Sequence, residues 1–376
     1  MTSQHISIPT TRLSPTGIRR LLSAGTALGV VVLASALVWL LAPSLGPYET
    51  LLVPAHHLVE DGQTGSRVLA AAQAALGVMT TTAGLLALYG RPPAALIGWI
   101  GLAAGVAMGL GFVGFNGLAA AGYTLALALP VTLITTVVVL AVKRPGIGIP
   151  IALATIGGIT YALFGPLSVV RFYGLVLEQA AVDVPKFTAP LVFILFAGIW
   201  ALLGAQLLRR RDGALGRFVL RYRVPITIAS SVCALPYVIA RISWLTPWPL
   251  FGGDATESPE ALATGLMLGA AMLTGAILNI GLVLPWGETF PRWFPRIGGR
   301  SVPEALAVVP AAIVAALFTA AGFESILALF ADVGGMPVDQ LLLILVLPFW
   351  LWGPLLGAAT WGYAQHRVLT AASGAS

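Results

Sequence analysis

Runs of about 20 mainly apolar residues recur along this chain, each long enough to cross roughly 30 Å of hydrocarbon as a helix. Ten can be drawn, at 21–42, 68–89, 94–115, 119–141, 148–170, 188–208, 224–245, 261–284, 304–330 and 340–363. Only 9% of the 376 residues are charged and 58% are hydrophobic, against roughly 25% charged residues in a soluble domain. So little charge cannot clothe a water-soluble exterior. A soluble globular enzyme and a disordered chain are both excluded. The fold class expected is all-α, a polytopic transmembrane bundle: a leader at 1–20, one helical membrane domain at 21–366 and a tail at 367–376.

The first run follows a leader carrying Arg12, Arg19 and Arg20. It exceeds the 7–15 apolar residues of a cleaved signal peptide, so it reads as a retained signal-anchor helix. Cys233, the one cysteine, lies inside an apolar run. An intrachain disulfide needs a second cysteine, and redox compartment is not legible.

Charge gives direction. With the N-terminal side taken as inside and ten spans drawn, the outside segments hold Arg67, Arg171, Lys186 and Arg241, and the other 16 of 20 basic residues fall inside. Of 14 acidic residues, only Asp212, Glu288 and Glu304 fall inside. The basic excess marks the cytoplasmic side, so both termini are expected there, in a bacterial cytoplasmic membrane. The net charge of +6 is then a topological signal and not a nucleic-acid footprint.

The longest inside loop, 209–223, holds six arginines and one aspartate. It anchors topology, and anionic lipid head groups are its natural partners. The loop 285–303 mixes Trp286, Phe290, Trp293 and Phe294 with Arg292, Arg296 and Arg300, a composition suited to the membrane interface. Its prolines argue against a long helix there. Asn116-Gly117 marks a tight turn between the third and fourth spans, expected to form an antiparallel pair. Gly101, Gly105 and Gly109, and likewise Gly265 and Gly269, are spaced for close helix packing.

Pro130, Pro236, Pro310, Pro348 and Pro354 fall inside spans four, seven, nine and ten, where each removes a helical hydrogen bond and introduces a kink. Transporters expose backbone groups at such breaks, although proline is also common in membrane helices generally. Span ten places Trp350 and Trp352 near its middle, where indoles must pack, face a cavity or find a hydrogen-bond partner. Arg171, Arg241 and Glu324 lie near the outer ends of their spans. Intramembrane charges usually face the bundle interior or water. Arg241 and Glu324 have opposite signs at similar depth and could pair, or each could snorkel to the interface. Arg171, Arg241, Glu324, Trp350 and Trp352 are the candidate cavity or ion-pair residues.

The outer loop contains His56, His57, Glu60 and Asp61. On a helix, His56 with Glu60 and His57 with Asp61 would share faces, and imidazole with carboxylate is zinc-binding chemistry. With no third histidine nearby, a solvated surface helix is the reading, and no metal or cofactor is expected. No G-x-x-x-x-G-K-[ST], G-x-S-x-G or S-x-x-K pattern occurs.

The stretches Leu284-Pro285-Trp286-Gly287-Glu288-Thr289-Phe290-Pro291-Arg292-Trp293 and Pro348-Phe349-Trp350-Leu351-Trp352-Gly353-Pro354 resemble uncharacterised multispanning membrane proteins of actinobacteria, over roughly 221–366. That resemblance implies location and fold and transfers no activity. A permease-like protein for a small apolar molecule is expected from kinked spans and mid-span aromatics. A membrane-embedded enzyme or assembly factor for lipid-linked substrates is the alternative.

Overall fold

The computed structural model describes residues 14–49, 53–60, 62–90, 92–143, 145–164, 174, 184–208, 213–251, 259–292, 297–331 and 338–373. Among them the regular structure is helical, apart from one isolated antiparallel bridge between Thr289 and Ser301. The helices are α1 (Pro15–Leu41), α2 (Gln63–Leu88), α3 (Ala94–Met108), α4 (Gly114–Lys143), α5 (Pro145–Phe164), α6 (Val184–Leu208), α7 (Ala214–Arg221), α8 (Arg223–Val232), α9 (Leu235–Ser243), α10 (Pro259–Ile280), α11 (Glu304–Ala331), α12 (Val338–Val346) and α13 (Phe349–Ser373).

Seven stretches are long and apolar enough to cross a membrane: Pro15–Leu41, Gln63–Leu88, Ala94–Leu125, Val184–Leu208, Arg223–Ser243, Glu304–Ala331 and Leu341–Ala371. The chain is therefore an integral membrane protein in its design. The expected spans at 119–141, 148–170 and 261–284 correspond to shorter apolar stretches, Val131–Lys143, Gly148–Thr160 and Thr264–Ile280. Part of 148–170 lies outside the described residues.

Small residues let the helices approach. A Cβ on Gly77 would strike the Leu33 backbone at 2.8 Å, and one on Gly29 would meet Thr81 Oγ1 at 2.8 Å, so α1 and α2 lie backbone to backbone. Gly101 and Gly105 press in the same way on Trp200, Ala201 and Ala197 of α6. Gly265 and Gly269 receive Trp244, just past the end of α9, and Arg241 of α9. Both glycine rows thus serve packing within the chain, as expected where lipid supplies no hydrophobic drive between helices. Trp200 is fully buried and donates its indole N–H to the Gly25 carbonyl at 3.0 Å. Gln73 ties α2 to α1 through Val32 O and Ser35 Oγ, both at 2.9 Å, and accepts the Tyr48 hydroxyl. Burial holds that phenol well above its usual pKa, so it stays a donor.

Two cores result. One joins α1, α2, α3 and α6 around Phe193, Phe196 and Trp200. The other joins α8, α10, α11 and α13 around Phe318, Phe349 and Trp352, and Leu118 of α4 packs against both.

The reversal expected at Asn116-Gly117 is not made: Ala94–Leu125 is one apolar stretch, and Gly109 beside Ala197 and Gly117 beside Ile194 continue the same course along α6. A π-turn at Gly109–Val113 ends at Gly114, whose φ is 49°. From there α4 packs on α5, α11 and α6, while α3 packs on α6 and α2. The two are not the side-by-side pair the sequence suggested, because they follow one another within one stretch.

The prolines divide into two kinds. Pro310 and Pro354 sit inside continuous helices. Pro236 opens α9, and Pro348 lies between α12 and α13. These two end one helix and start another, a correction to the kink expected at each. Proline fits a first helical turn because that turn's N–H groups have no intrahelical acceptor. Pro130 lies in α4, with a side chain outside the described set.

Within the 285–303 segment the described residues 288–290 and 300–302 pair antiparallel. Phe290 N–H bonds Arg300 O at 2.9 Å, and Val302 N–H bonds Glu288 O at 2.9 Å. Arg367 fixes it to α13 by donating to Ser301 Oγ at 2.8 Å, Val302 O at 2.9 Å and Tyr363 Oη at 2.8 Å. Tyr363 in turn donates to Gly287 O at 2.7 Å. Glu288 lies 3.2 Å from His366 Nε2 and 3.8 Å from Arg223 Nη1.

Candidate functional site

Three interrupted helices meet at one place. The first interruption is Gly114. A Cβ there would collide with Glu324 Oε2 and lie 2.7 Å from Pro54 Cγ. Positive φ and lack of room both demand glycine. The second is Pro348, with Phe349 N–H bonding back to Leu347 O at 2.7 Å. The third is Cys233-Ala234, between α8 and the Pro236 start of α9.

Aromatic rings join them. Phe115 follows Gly114, and its ring centroid lies 6.0 Å from that of Phe349. Phe349 stacks on Phe318 at 4.3 Å, and Trp352 packs on Phe318 at 4.7 Å. Cys233 and Ala234 belong to the same buried cluster.

Glu324 closes the arrangement. It is 7% exposed, and its Oε2 accepts the Phe115 N–H at 2.6 Å. A carboxylate suits the partial positive charge at a helix start. It thereby ties α11 to the first turn of α4. Two residues before it, a Cβ on Gly322 would clash with the backbone of Trp350, so α11 and α13 touch main chain to main chain.

Polar atoms border the cluster. Asn279 of α10 donates to Ser231 Oγ at 2.9 Å. Asn279 Oδ1, Ser230 Oγ and Trp352 Nε1 are buried with no hydrogen-bond partner among the described residues. Such atoms are uncommon in folded proteins and mark places where a polar guest, or a change of helix packing, has something to gain. Ser230 Oγ has no bond to lose. Ser230→Ala should therefore leave the unfolding midpoint in detergent unchanged or slightly raised. Asn279→Ala, which loses a made bond, should cost about 1 kcal/mol. A large loss for Ser230→Ala would show a partner at that hydroxyl.

The structure brings together Glu324, Trp352 and Pro348 from the sequence-derived set, with Pro236 exposed just beyond Cys233-Ala234. It separates the rest. Arg241 lies over the rings of Tyr237 at 4.7 Å and Trp244 at 4.1 Å, stacked on its own helix. Among the described residues it forms no ion pair with Glu324, which is occupied by α4. Trp350 is 42% exposed on the outer surface of the bundle, whereas Trp352 is 3% exposed. Residues two apart on a helix point about 200° apart, to nearly opposite faces, which is why the two indoles do not share a wall. Arg171 lies outside the described residues.

The histidine loop departs from its reading as an α-helix. Pro54–Leu58 is a 3-10 turn that ends before Glu60. The i,i+4 geometry proposed for His56 and Glu60 is therefore not formed, and Asp61 lies outside the described residues. Burial, and then the neighbouring His56, lowers the pKa of His57, which favours its neutral form. Among the described residues no three His, Cys, Asp or Glu side chains gather as a metal set.

Two features were not singled out from sequence. Gly114-Phe115 looked like the interior of an apolar run, although a glycine two residues before an Asn-Gly pair is a weak turn signal. The Arg223, Glu288, His366 and Arg367 network joins residues scattered over loops and helix ends, which no spacing pattern reveals.

No protein-family model, curated protein or solved structure matches this chain.

Proposed function

We propose that this chain is a permease-like membrane protein for a small, rather apolar molecule, with ten spans and both termini on the cytoplasmic side of a bacterial membrane. The observation that carries the reading is the meeting of three helix interruptions on a buried aromatic cluster tied by one buried carboxylate. Carriers use discontinuous helices as joints and as sources of unpaired backbone groups. An intramembrane carboxylate is a costly group that marks function by default. Phe115, Phe318, Phe349 and Trp352 offer apolar faces, and Trp352 adds an unpaired donor.

Metabolite and lipid profiling of a deletion strain, complemented by wild type or by Glu324→Ala, tests the function. A small apolar compound should change level in the deletion strain, return with wild type and stay changed with Glu324→Ala. Accumulation of a lipid-linked precursor in its place would replace the carrier with an enzyme or assembly factor.

Topology is testable separately. Reporters fused after Asp212, Asp254 and Ser376 should read inside, outside and inside. Any other order refutes ten spans or their direction.

A further inference from the structure

An open groove of about 420 Å³ runs between α11 and α13, on the opposite side of α13 from the residues that meet α8 and the 285–303 segment. One wall is Ala312, Ala316 and Thr319, and the other is Pro354, Gly357 and Trp361. It extends along α13 from Gly353 to Ala364, which at 1.5 Å per residue is about 16 Å. That is close to half of the roughly 30 Å hydrocarbon thickness, or one leaflet. Its two hydroxyls are already used, since Thr319 donates to Ala315 O at 2.7 Å and Thr360 to Leu356 O at 2.7 Å. The walls therefore ask for an apolar occupant.

The chemistry at the inner end is different. Helix α7 docks its buried Gly216 and Val219 beside Trp361 and Gly362 of α13. With the Gln365 amide in the orientation its neighbours require, Trp361 Nε1 donates to Gln365 at 2.8 Å and Gln365 donates to Gly216 O at 2.9 Å. The groove wall and α7 are thus one hydrogen-bonded unit. On α7 the exposed Arg217 and Arg221 are four residues apart and share a face, while Leu215, Phe218 and Tyr222 are exposed on another. A short helix with basic and aromatic-aliphatic faces is built for the headgroup boundary.

We propose that this is a phospholipid site: one acyl chain lies in the α11–α13 groove, and an anionic headgroup rests on the Arg217 and Arg221 face of α7. Both halves are needed, because a bare groove would take any chain and a bare basic helix would take any acidic headgroup. The site is independent of the permease reading, and its test does not measure transport.

Native mass spectrometry of the detergent-solubilised chain, titrated with phosphatidylglycerol or phosphatidylcholine of equal chain length, tests it. Wild type should bind one phosphatidylglycerol at least tenfold more tightly than phosphatidylcholine. Arg217→Gln with Arg221→Gln should bring the two lipids to equal, weak affinity. Ala316→Phe, which fills the groove from an exposed wall, should weaken both lipids while leaving the unfolding midpoint near wild type. Equal binding of the two lipids by wild type, or phosphatidylglycerol binding unchanged in either variant, would overturn the proposal.

Discussion

Gly114→Ala is expected to be among the most damaging single-methyl changes in this protein. Gly114 has φ of 49°, where a Cβ is strained, and that Cβ would overlap Glu324 Oε2 and crowd Pro54. A non-glycine residue in such a conformation costs about 1–3 kcal/mol, and overpacking a tight site about 1–3 kcal/mol more. Relief is blocked on both sides. Pro54 opens a 3-10 turn whose Val53 is fully buried in the first core. Glu324 sits on α11, held against α13 by Gly322. The stability in detergent should fall by roughly 2–6 kcal/mol. Gly122→Ala, where a Cβ meets nothing within 4 Å, should be neutral or mildly stabilising as an ordinary Gly-to-Ala change within a helix. Equal effects at the two positions would mean that the Gly114 turn is not formed in the folded protein.

Seven long apolar helices were legible because a membrane span is a one-dimensional signal: length and hydropathy suffice. The glycine rows were equally plain, and their partners on α6 and α9 were not. What the linear pattern missed is pairing. Arg241 and Glu324 suggested an ion pair by sign and depth, yet Tyr237 and Trp244 on Arg241's own helix take its guanidinium. The acceptor role of Glu324 depends on a backbone N–H 209 residues away. No residue type announces a free backbone donor, so no motif could have named Phe115. At 236 and 348 proline stands where one helix gives way to the next and not at the kink expected, because a missing N–H suits a first helical turn. The same residue inside α11 and α13, at 310 and 354, left the helix continuous. Local chemistry fixes where a helix can break, and packing decides whether it does.

That dependence on packing makes Glu324 the decisive residue, and Cys233 a native reporter for it. Cys233 is the one thiol in the chain, buried at the third interruption within the Phe318, Phe349 and Trp352 cluster. Labelling by a membrane-permeant maleimide requires that this cluster open. Glu324→Ala removes the acceptor, leaves the buried Phe115 N–H unpaired at about 1–3 kcal/mol, and opens space beside Gly114. Each 1.4 kcal/mol of easier opening is tenfold in the population of the open form. Cys233 should therefore label roughly tenfold faster in Glu324→Ala than in wild type. Glu324→Gln keeps a carbonyl acceptor of the same shape and should label within about threefold of wild type. The pair separates a steric role from a charge role. If alanine and glutamine accelerate labelling alike, the negative charge at the start of α4 holds the three helices together. If neither does, the three interruptions move independently, and the joint at the centre of the permease reading is lost.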